Sequence, residues 1–590
     1  MGLLDGILSL QDKTNKVSDE TMVDGVAIQK EVEPEEGLSK SELLDLAKGW
    51  ESAWIKGTKD LKKSQKENKD YWLGKQSNGK GVDISGKRKS IDNRIFMALE
   101  TFLPIATRQN PDPIVEGDDS EESRKVADAT KNMLVFQADE QRLKLKIKSA
   151  TRNWAIDLLG VAKIGWDTEI DDIETTIVPS KNIILDPDAT ICEGVDYTGK
   201  YIGETKKDSA ADLVEMFPEE KDFIEGLVEG KMGTKLQYQE WWTKDLVFWR
   251  LKERILDKSE NPHWNDEEER ETVDEFGNVV TERERGKNHF RKKKMPYVFL
   301  SIFNMGEHPW DDTNLIQQNI PLQDIINKRI EQIDVNTDNL NGGAVFSGDH
   351  FTQEQATQAQ KAMRAGQGVW VPTGDVRAAY IRDNGASLPS DVFNNLVDTR
   401  NEIDNVFGTH GTTRGERGAG ETATGRLTLK QGDESRIGGG ISEYIEQFAD
   451  EIFNWWVQMF YVYYDEAHSG TVIGAEQASE HFELKKEDFA QVKRLSVSVK
   501  EGSLVPKDDI TKRNEAIQLW GAGAISILDL YIALKHPDPQ KATERWILQQ
   551  TNPTALIEGE GGTVQEQLVQ QLQAGPQGVQ EVPAAEGVIQ

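Results

Sequence analysis

The run Asn314-Leu-Ile-Gln-Gln-Asn-Ile-Pro-Leu-Gln-Asp-Ile-Ile-Asn-Lys-Arg-Ile330 lies near the start of residues 312–436, the stretch around which the chain is organised. Its apolar residues recur at steps near the period of an amphipathic helix. They are Leu315, Ile316, Ile320, Ile326, Ile330 and Ile333. This spacing predicts a helix over Asn314–Leu340, about 40 Å long. A second run predicts a helix over Pro389–Phe407. Its apolar residues are Val392, Phe393, Leu396, Ile403, Val406 and Phe407.

The residues between these helices predict a compact insert of two or three strands and one helix. The second helix is followed by Gly408-Thr-His-Gly-Thr-Thr-Arg-Gly-Glu-Arg-Gly-Ala-Gly420, which is too rich in glycine for regular structure. Its continuation, Gly420-Glu-Thr-Ala-Thr-Gly425, has the glycine spacing of a phosphate-binding loop. However, Arg426-Leu427 stands where such a loop has Lys followed by Ser or Thr. The sequence therefore argues against a nucleotide site there.

Composition indicates a globular protein with three or four domains and disordered ends. The chain has 590 residues, of which 37% are hydrophobic, and a formal net charge of -32. This charge argues against tight coating of nucleic acid, because affinity for phosphate comes mainly from Lys and Arg. It is compatible with DNA that slides past the protein. One cysteine, Cys192, excludes an intrachain disulfide framework. No apolar run has the length of about 20 residues that a membrane-spanning helix needs.

The pattern along the chain predicts an α+β fold that is mostly helical. Helices are expected over residues 90–102, 120–155, 209–216, 508–535 and 541–550, and strands over 161–168, 175–178, 182–185, 200–204, 238–242, 246–251, 469–473 and 494–500. Residues 258–295 predict an exposed hairpin whose oppositely charged ends pair with each other or meet a neighbouring subunit.

A helix from about Thr422 to Tyr464 should kink near Gly432 and Gly438. Its aromatic face indicates core or a subunit interface.

Residues that could carry catalysis or bind metal give no consistent site. Asp186 and Asp188 flank a proline and could bind a divalent cation, but a turn in which they bond their own backbone explains them more simply. The eight histidines are scattered and none has ligand spacing from another. Motifs for hydrolases, zinc proteases and paired-cysteine metal sites are missing from the sequence. The sequence therefore predicts neither an enzyme nor a protein with a cofactor or metal.

Three stretches, in this order, resemble the portal proteins of tailed bacteriophages, the ring through which DNA enters and leaves the capsid. Residues 177–189, Ile-Val-Pro-Ser-Lys-Asn-Ile-Ile-Leu-Asp-Pro-Asp-Ala, and the run 210–218 that follows resemble a strand, turn and helix of the family's wing domain. Residues 308–313 leading into 321–329 resemble the start of its first stem helix. Residues 420–426 resemble the turn from its tunnel loop into a long kinked helix. The resemblance extends over about residues 40–550.

The resemblance implies a multi-domain portal fold of wing, stem, clip and crown that assembles into a ring. The implied segments are a flexible acidic arm (1–39), wing (40–312), stem helix 1 (313–340), clip (341–386), stem helix 2 (387–407), tunnel loop (408–421), long kinked helix with wing strands (422–506), crown (507–550) and a disordered Gln/Gly-rich tail (551–590). The apolar stripes of the two stem helices would face neighbouring subunits. Two long helices joined by a small insert cannot bury both faces within one chain, and a ring supplies the missing cover.

The function implied is a dodecameric channel for double-stranded DNA in the virion, assembled in the host cytoplasm. Its implied partners are eleven further copies, the large terminase subunit as packaging ATPase, a tail adaptor, and the major capsid or scaffolding protein. The DNA-proximal set is predicted to be Arg414, Arg417, Arg426 and Lys430. Intersubunit salt bridges with Glu416 and Glu421 are the alternative role for these cations.

Two other functions remain open from the sequence. One is a DNA-processing enzyme of the packaging machinery, which would need a metal cluster. The other is a different virion ring, such as a tail adaptor or collar, although adaptors are generally shorter and lack the order of helix, insert, helix and glycine loop.

Overall fold

The computed structural model describes most of the chain between residues 37 and 551. The described residues are 37–76, 90–266, 268–273, 279–284, 286–340, 343–364, 367–370, 376–383, 387–409, 440–473, 479–492, 494–500, 503, 509–534, 536 and 539–551. The chain divides into two compact units. Unit 1 comprises Met1–Glu51 and Gly203–Pro262, and unit 2 comprises Ser52–Ile202 and His263–Gln590.

Helix is the predominant structure, accompanied by several small sheets, in agreement with the predicted α+β class. The α-helices are α1 (Lys40–Gly57), α2 (Lys59–Trp72), α3 (Arg94–Ala106), α4 (Glu121–Glu140), α5 (Leu143–Asp157), α6 (Ala210–Met216), α7 (Lys221–Leu227), α8 (Leu315–Leu340), α9 (Gln353–Arg364), α10 (Val376–Ala379), α11 (Ser390–Phe407), α12 (Ile441–Tyr463), α13 (Asp509–Gly521), α14 (Ile527–Ala533) and α15 (Pro539–Thr551). Among the described helices, none is both long enough and apolar enough to cross a membrane.

The strands are mostly short. They are β1 (Pro113–Glu116), β2 (Gly160–Asp167), β3 (Asp172–Ile177), β4 (Ile183–Leu185), β5 (Ile191–Cys192), β6 (Asp196–Tyr197), β7 (Ile202–Ser209), β8 (Lys235–Trp242), β9 (Leu246–Leu251), β10 (Arg254–Glu260), β11 (Glu268–Val273), β12 (Val279–Glu284), β13 (Tyr297–Leu300), β14 (Gly343–Phe346), β15 (Tyr380–Asp383), β16 (His468–Ile473), β17 (Ser479–Leu484) and β18 (Ser496–Val499).

Unit 1 is built on a sheet with strand order β10-β9-β8-β7. The antiparallel register of β8 and β9 pairs Trp241 with Phe248, whose ring centroids lie 6.4 Å apart. Gly203 of β7 allows Trp241 to pack closely, because a Cβ at this position would lie 2.7 Å from the indole ring. Helix α6 begins with a capping box, in which the Ser209 hydroxyl accepts a hydrogen bond from the Asp212 N–H. A buried cluster joins α6 and α7 to this sheet. It includes Leu213, Phe217, Ile224, Tyr238, Leu251 and Leu256.

Helix α12 lies in the core of unit 2. Its aromatic residues, expected in the core or at a subunit interface, are almost completely buried in the chain's own core. They are Phe448, Phe453, Trp455, Trp456 and Phe460. The indole N–H of Trp456 donates to the Thr175 hydroxyl of β3 at 2.8 Å. The β3 strand belongs to the sheet β13-β2-β3, so this bond fixes the helix on the sheet.

The single helix predicted for residues 120–155 is wrong, because α4 and α5 are separate helices. Arg142, between them, has a φ of 53°, in the left-handed region that ends a helix. Arginine is not a residue that signals such a turn, so the break has no local marker in the sequence. Helix α5 then packs against α2, α3 and β2.

Two other predicted helix boundaries are also corrected. The helix predicted over residues 90–102 spans Arg94–Ala106: it begins after Asn93, whose side-chain oxygen accepts a hydrogen bond from the Phe96 N–H, and it continues through Pro104. The helix predicted over 508–535 is divided into α13 and α14. Gly523 has a φ of +70° in the turn between them, and Ser526 starts α14 with a capping box.

The charged hairpin predicted within residues 258–295 is formed by β11 and β12. The strands are antiparallel, and their register places Glu269 opposite Arg283. Beside this hairpin, Lys293 Nζ lies 2.9 Å from an Asp266 carboxylate oxygen, which is the electrostatic pairing expected of its ends. The pairing of β1 with β18 was not predicted, because these strands are nearly 400 residues apart.

Candidate assembly surface

Helices α8 and α11 pack along each other within unit 2. Their observed bounds lie within one residue of those predicted, because local signals mark their ends. The Asn314 carboxamide oxygen accepts a hydrogen bond from the Gln317 N–H at 2.8 Å, at the start of α8. Helix α11 follows Pro389 and ends at Gly408, which has the left-handed φ of 69° that favours glycine.

The insert between these helices contains the predicted strands. Strands β14 and β15 pair antiparallel, with Phe346 opposite Tyr380. The ring of Phe346 also contacts that of Phe351, with centroids 5.1 Å apart. Helix α9 follows β14, and the short helix α10 precedes β15. The described part of the insert is therefore a two-stranded ribbon with helical segments, connected at either end to α8 and α11.

The side chain of Gln323 attaches α8 to the start of α3. Its oxygen accepts hydrogen bonds from the backbone N–H groups of Arg94 and Ile95, at 3.0 and 3.4 Å. Its amide nitrogen donates to the Asp92 carbonyl at 2.7 Å. Gln323 is completely buried, so these bonds replace the water that its amide would otherwise need.

A salt bridge attaches α11 to the same segment. The Arg400 guanidinium contacts Asp92 Oδ2 at 2.7 Å through Nη2 and at 2.9 Å through Nε. Arg94 Nε approaches the same oxygen at 3.2 Å. This cluster was not predicted from the sequence, because Asp92 and Arg400 are 308 positions apart and no local pattern connects them.

The segment that leads into α8 is fixed by Asp311, whose carboxylate is buried. It accepts hydrogen bonds from the Trp154 indole at 2.7 Å, from the Ser301 hydroxyl, and from the backbone N–H groups of Ile302 and Phe303. Burial raises the pKa of the Asp311 carboxyl, and these hydrogen bonds partly offset the effect. This carboxylate therefore determines where α8 begins relative to α5.

Six of the twelve residues in the two predicted apolar stripes are not available to neighbouring subunits. Several stripe residues were expected to face neighbouring subunits, but the chain's own core buries them. They are Leu315, Ile316, Ile326, Leu396, Ile403 and Phe407. The reason is that α3 and α5, whose positions the stripe pattern could not reveal, cover this side of the helix pair.

Other apolar residues of the two helices remain exposed. On α11, Phe393 is 46% and Val397 is 51% exposed, and on α8, Val335 is 51% exposed. Phe393 and Val397 are one turn apart and form a ridge, which we call the α11 ridge. An open groove of about 500 Å³ lies between α8 and the start of α11. This α8–α11 groove is lined by Lys328, Glu331, Gln332, Val335, Asn336, Leu388, Pro389 and Val392.

The α11 ridge and the α8–α11 groove lie on different sides of α11. Val392, which lines the groove, is about 100° around the helix from Phe393. A ridge and a groove on different sides of one subunit can contact the groove and ridge of two different neighbours. Such head-to-tail contacts produce rings when the rotation closes.

The cations predicted to contact DNA lie outside the described residues. They are Arg414, Arg417, Arg426 and Lys430, and the described chain stops at Thr409 and resumes at Gly440. Their role as a DNA-proximal set, and the alternative of intersubunit salt bridges, both stay predictions. The expected kink near Gly432 and Gly438 also lies outside the described residues.

The aspartates considered for a metal form a turn. The Asp188 N–H donates to the Asp186 carboxylate at 3.2 Å, as the simpler interpretation expected. Within the described ranges, no group of three or more His, Cys, Asp or Glu side chains is arranged to hold a metal ion.

No known protein family and no curated protein matches the sequence. Solved structures do match. One is a chain from the neck of an empty GTA particle computed with C6 symmetry, with 10% sequence identity and a TM-score of 0.38, over 78% of this chain and 94% of that chain. Another is from the neck of a native GTA particle computed with C12 symmetry, with 10% identity and a TM-score of 0.36, over 78% of this chain and 92% of that chain. At these scores the matches assign no function.

Proposed function

We propose that this protein is a portal-type subunit, of which twelve copies form a ring at a capsid vertex of a phage-like particle. The observation that carries the proposal is the α11 ridge beside the α8–α11 groove. An isolated subunit leaves Phe393, Val397 and Val335 in contact with water. Each large apolar side chain that becomes fully buried contributes about 1.5–3 kcal/mol.

A second copy of the chain is the partner that fits this surface. The ridge is apolar, and the groove has apolar walls at Val335, Leu388, Pro389 and Val392. Inserting the ridge of one subunit into the groove of the next would cover both. The contact is heterologous, so repetition with a rotation that closes gives a ring with the helix pairs arranged around its axis.

The sequence resemblance supports the portal interpretation of such a ring. The stretch that resembles the portal wing contains a turn at Asp186, and the run after it contains α6, capped by Ser209. The stretch that resembles the start of the first stem helix precedes α8. In this proposal α8 and α11 are the stem helices, and residues 341–386 between them are the clip.

The proposed ring is a passive channel for double-stranded DNA. Its net negative charge repels phosphate at long range and so weakens adhesion of the duplex, while Arg414, Arg417, Arg426 and Lys430 provide brief contacts. The glycine loop lacks the lysine of a phosphate-binding loop, so a separate terminase ATPase would supply the energy for packaging. The clip would bind this motor and later the tail adaptor. The capsid or scaffolding protein would surround the ring in the virion, after assembly in the host cytoplasm.

The oligomeric state of the purified full-length protein tests the proposal. We expect negative-stain images to show rings of about twelve subunits with a central opening, and mass photometry to give the corresponding mass. A monomer or dimer at all concentrations would contradict the ring. Hydrolysis of ATP or DNA by the purified protein would instead favour a packaging enzyme.

A further inference from the structure

Helix α2 carries a stripe of lysines in a chain that is otherwise strongly acidic. The stripe consists of Lys59, Lys62, Lys63, Lys66 and Lys69, all of which are exposed. At about 100° per residue these positions lie within an arc of about 120°, along about 15 Å of helix. The sequence of residues 56–89 contains eleven Lys or Arg and four Asp or Glu, although the whole chain has a net charge of -32.

The opposite side of α2 is fixed to the rest of unit 2. The Asn68 amide donates to the Ile156 carbonyl at 3.0 Å, and the Gln65 amide donates to the Asp157 carbonyl at 2.8 Å. The Tyr71 hydroxyl donates to the Asp324 carboxylate of α8 at 2.7 Å. Leu61 and Asn68 are buried beneath the helix. The lysine stripe is therefore held in position on a rigid element.

The stripe has few partners in its own subunit. Within the described ranges, none of its five lysines forms an ion pair with an N···O distance of 4.0 Å or less, and Lys69 acts on Asp157 only at longer range. Like charges three or four residues apart, such as Lys62 and Lys66, repel each other and destabilise an isolated helix. The acidic residues of α2, all within the described part of the chain, do not relieve this repulsion, because they form no direct ion pair with these lysines. An anion bound from outside the subunit would relieve it.

We propose that the α2 lysine stripe binds the phosphate backbone of double-stranded DNA. The type of cation favours this partner over an acidic protein. All five cations of the stripe are lysines, and no apolar side chain lies on this face of α2. Protein interfaces, by contrast, are enriched in Arg, Tyr and Trp and depleted in Lys. Lysine is a compact charge that contacts phosphates without reading sequence. This inference does not depend on the ring, so it can hold or fail separately from the proposed function.

Binding of a fluorescent DNA duplex over a series of salt concentrations tests the inference. The test variant of the full-length protein combines Lys62→Gln, Lys63→Gln and Lys66→Gln. The control combines Lys207→Gln, Lys231→Gln and Lys235→Gln, which remove the same charge from exposed positions of unit 1. All six side chains are exposed, so both variants should keep the circular dichroism of the wild type.

We expect the test variant to bind the duplex at least about tenfold more weakly than the control at low salt. The slope of log K against log salt should also decrease by about 0.9 for each phosphate that the variant no longer neutralises, so by about two to three in total. Equal affinity and slope in the two variants would overturn the proposal and leave an acidic protein as the remaining candidate partner. Failure of the wild type to bind duplex at low salt would overturn it as well.

Discussion

The Trp154 indole, the Ser301 hydroxyl and two backbone N–H groups all donate to the Asp311 carboxylate. The change Asp311→Asn replaces one accepting oxygen with an amide group that is itself a donor. At least one buried donor then loses its partner, at a cost of about 2–4 kcal/mol. The unfolding entropy of a unit as large as unit 2 is about 1 kcal/mol/K, so we expect the melting temperature of the purified protein to fall by about 2–4 °C, measured by scanning fluorimetry.

The neighbouring Asp312 provides a matched control for this experiment. It is exposed, and its carboxylate accepts a hydrogen bond from the Met305 N–H at 2.7 Å. The change Asp312→Asn preserves one accepting oxygen in contact with water, so its effect on melting should be within about 1 °C. Equal shifts in the two variants would show that the buried set of hydrogen bonds does not determine stability here.

His289 predicts a dependence of stability on pH. Burial lowers the pKa of its imidazole from 6.5 to about 4, with a smaller contribution from the positive charges of Arg494 and Lys294. The unfolded chain therefore binds more protons than the folded chain between these two pH values. Stability consequently falls as pH falls through this window. At pH 5 the expected loss is about 2 kcal/mol relative to neutral pH.

The change His289→Gln isolates this effect, because glutamine does not titrate. The variant lacks the hydrogen bond between His289 Nε2 and the Asn454 oxygen, which is 2.8 Å long, so it should be less stable than the wild type at pH 7.5. At pH 5 the wild type loses stability because its folded state keeps the imidazole of His289 neutral, and the variant has no such loss. The difference in melting temperature between wild type and variant should therefore be smaller at pH 5 than at pH 7.5. A difference that stays constant between the two pH values would show that the pKa of His289 is not lowered.

At the scale of the elements, the α11 ridge gives a direct test of assembly. Phe393 and Val397 are about half exposed in the isolated subunit, so Phe393→Asp with Val397→Asp should preserve its fold. In the proposed ring, both side chains enter the groove of the next subunit, where an unpaired carboxylate is costly. We expect this double variant to elute as a monomer in size-exclusion chromatography with light scattering, with unchanged circular dichroism.

The control for the ridge variant adds the same charge elsewhere on α11. Asn394→Asp with Asn405→Asp changes two exposed residues that lie roughly 60–120° around the helix from the ridge. Rings should persist in this control. If the ridge variant also forms rings, or if the control does not form them, the interface between subunits is not the one proposed.

The elements that the sequence predicted well are those whose ends have local markers. Helix α11 lies between Pro389 and Gly408, and the Asp186 turn bonds its own backbone. The break between α4 and α5 was missed, because a left-handed Arg142 has no such marker. At the site, the sequence identified the two helices but not which of their sides would be exposed. That depends on the packing of α3 and on the bond between Asp92 and Arg400, which are 308 positions apart.

For the whole molecule, the net charge of -32 is a constraint on any role with DNA. A chain this acidic repels a duplex at long range, and salt reduces this repulsion beyond about 8–10 Å. Contact with DNA must therefore come from local groups of cations. The α2 lysine stripe is one proposed group, and the predicted DNA-proximal set is the other. The two groups can be tested separately. Changes in the α2 lysine stripe should weaken binding of a DNA duplex, and changes in the DNA-proximal set should reduce the amount of DNA that is packaged.

The predicted DNA-proximal set is tested by Arg414→Glu combined with Arg417→Glu. If these arginines contact DNA in transit, reversing their charge in every subunit adds repulsion all around the channel. We expect rings to form normally and the DNA in assembled particles, measured by protection from nuclease, to fall by about tenfold or more, because the reversed charges repel the passing phosphates in every subunit. If rings fail to form instead, the arginines pair with Glu416 or Glu421 of a neighbour. Adding Glu416→Arg and Glu421→Arg should then restore the rings, because the swapped charges attract each other again.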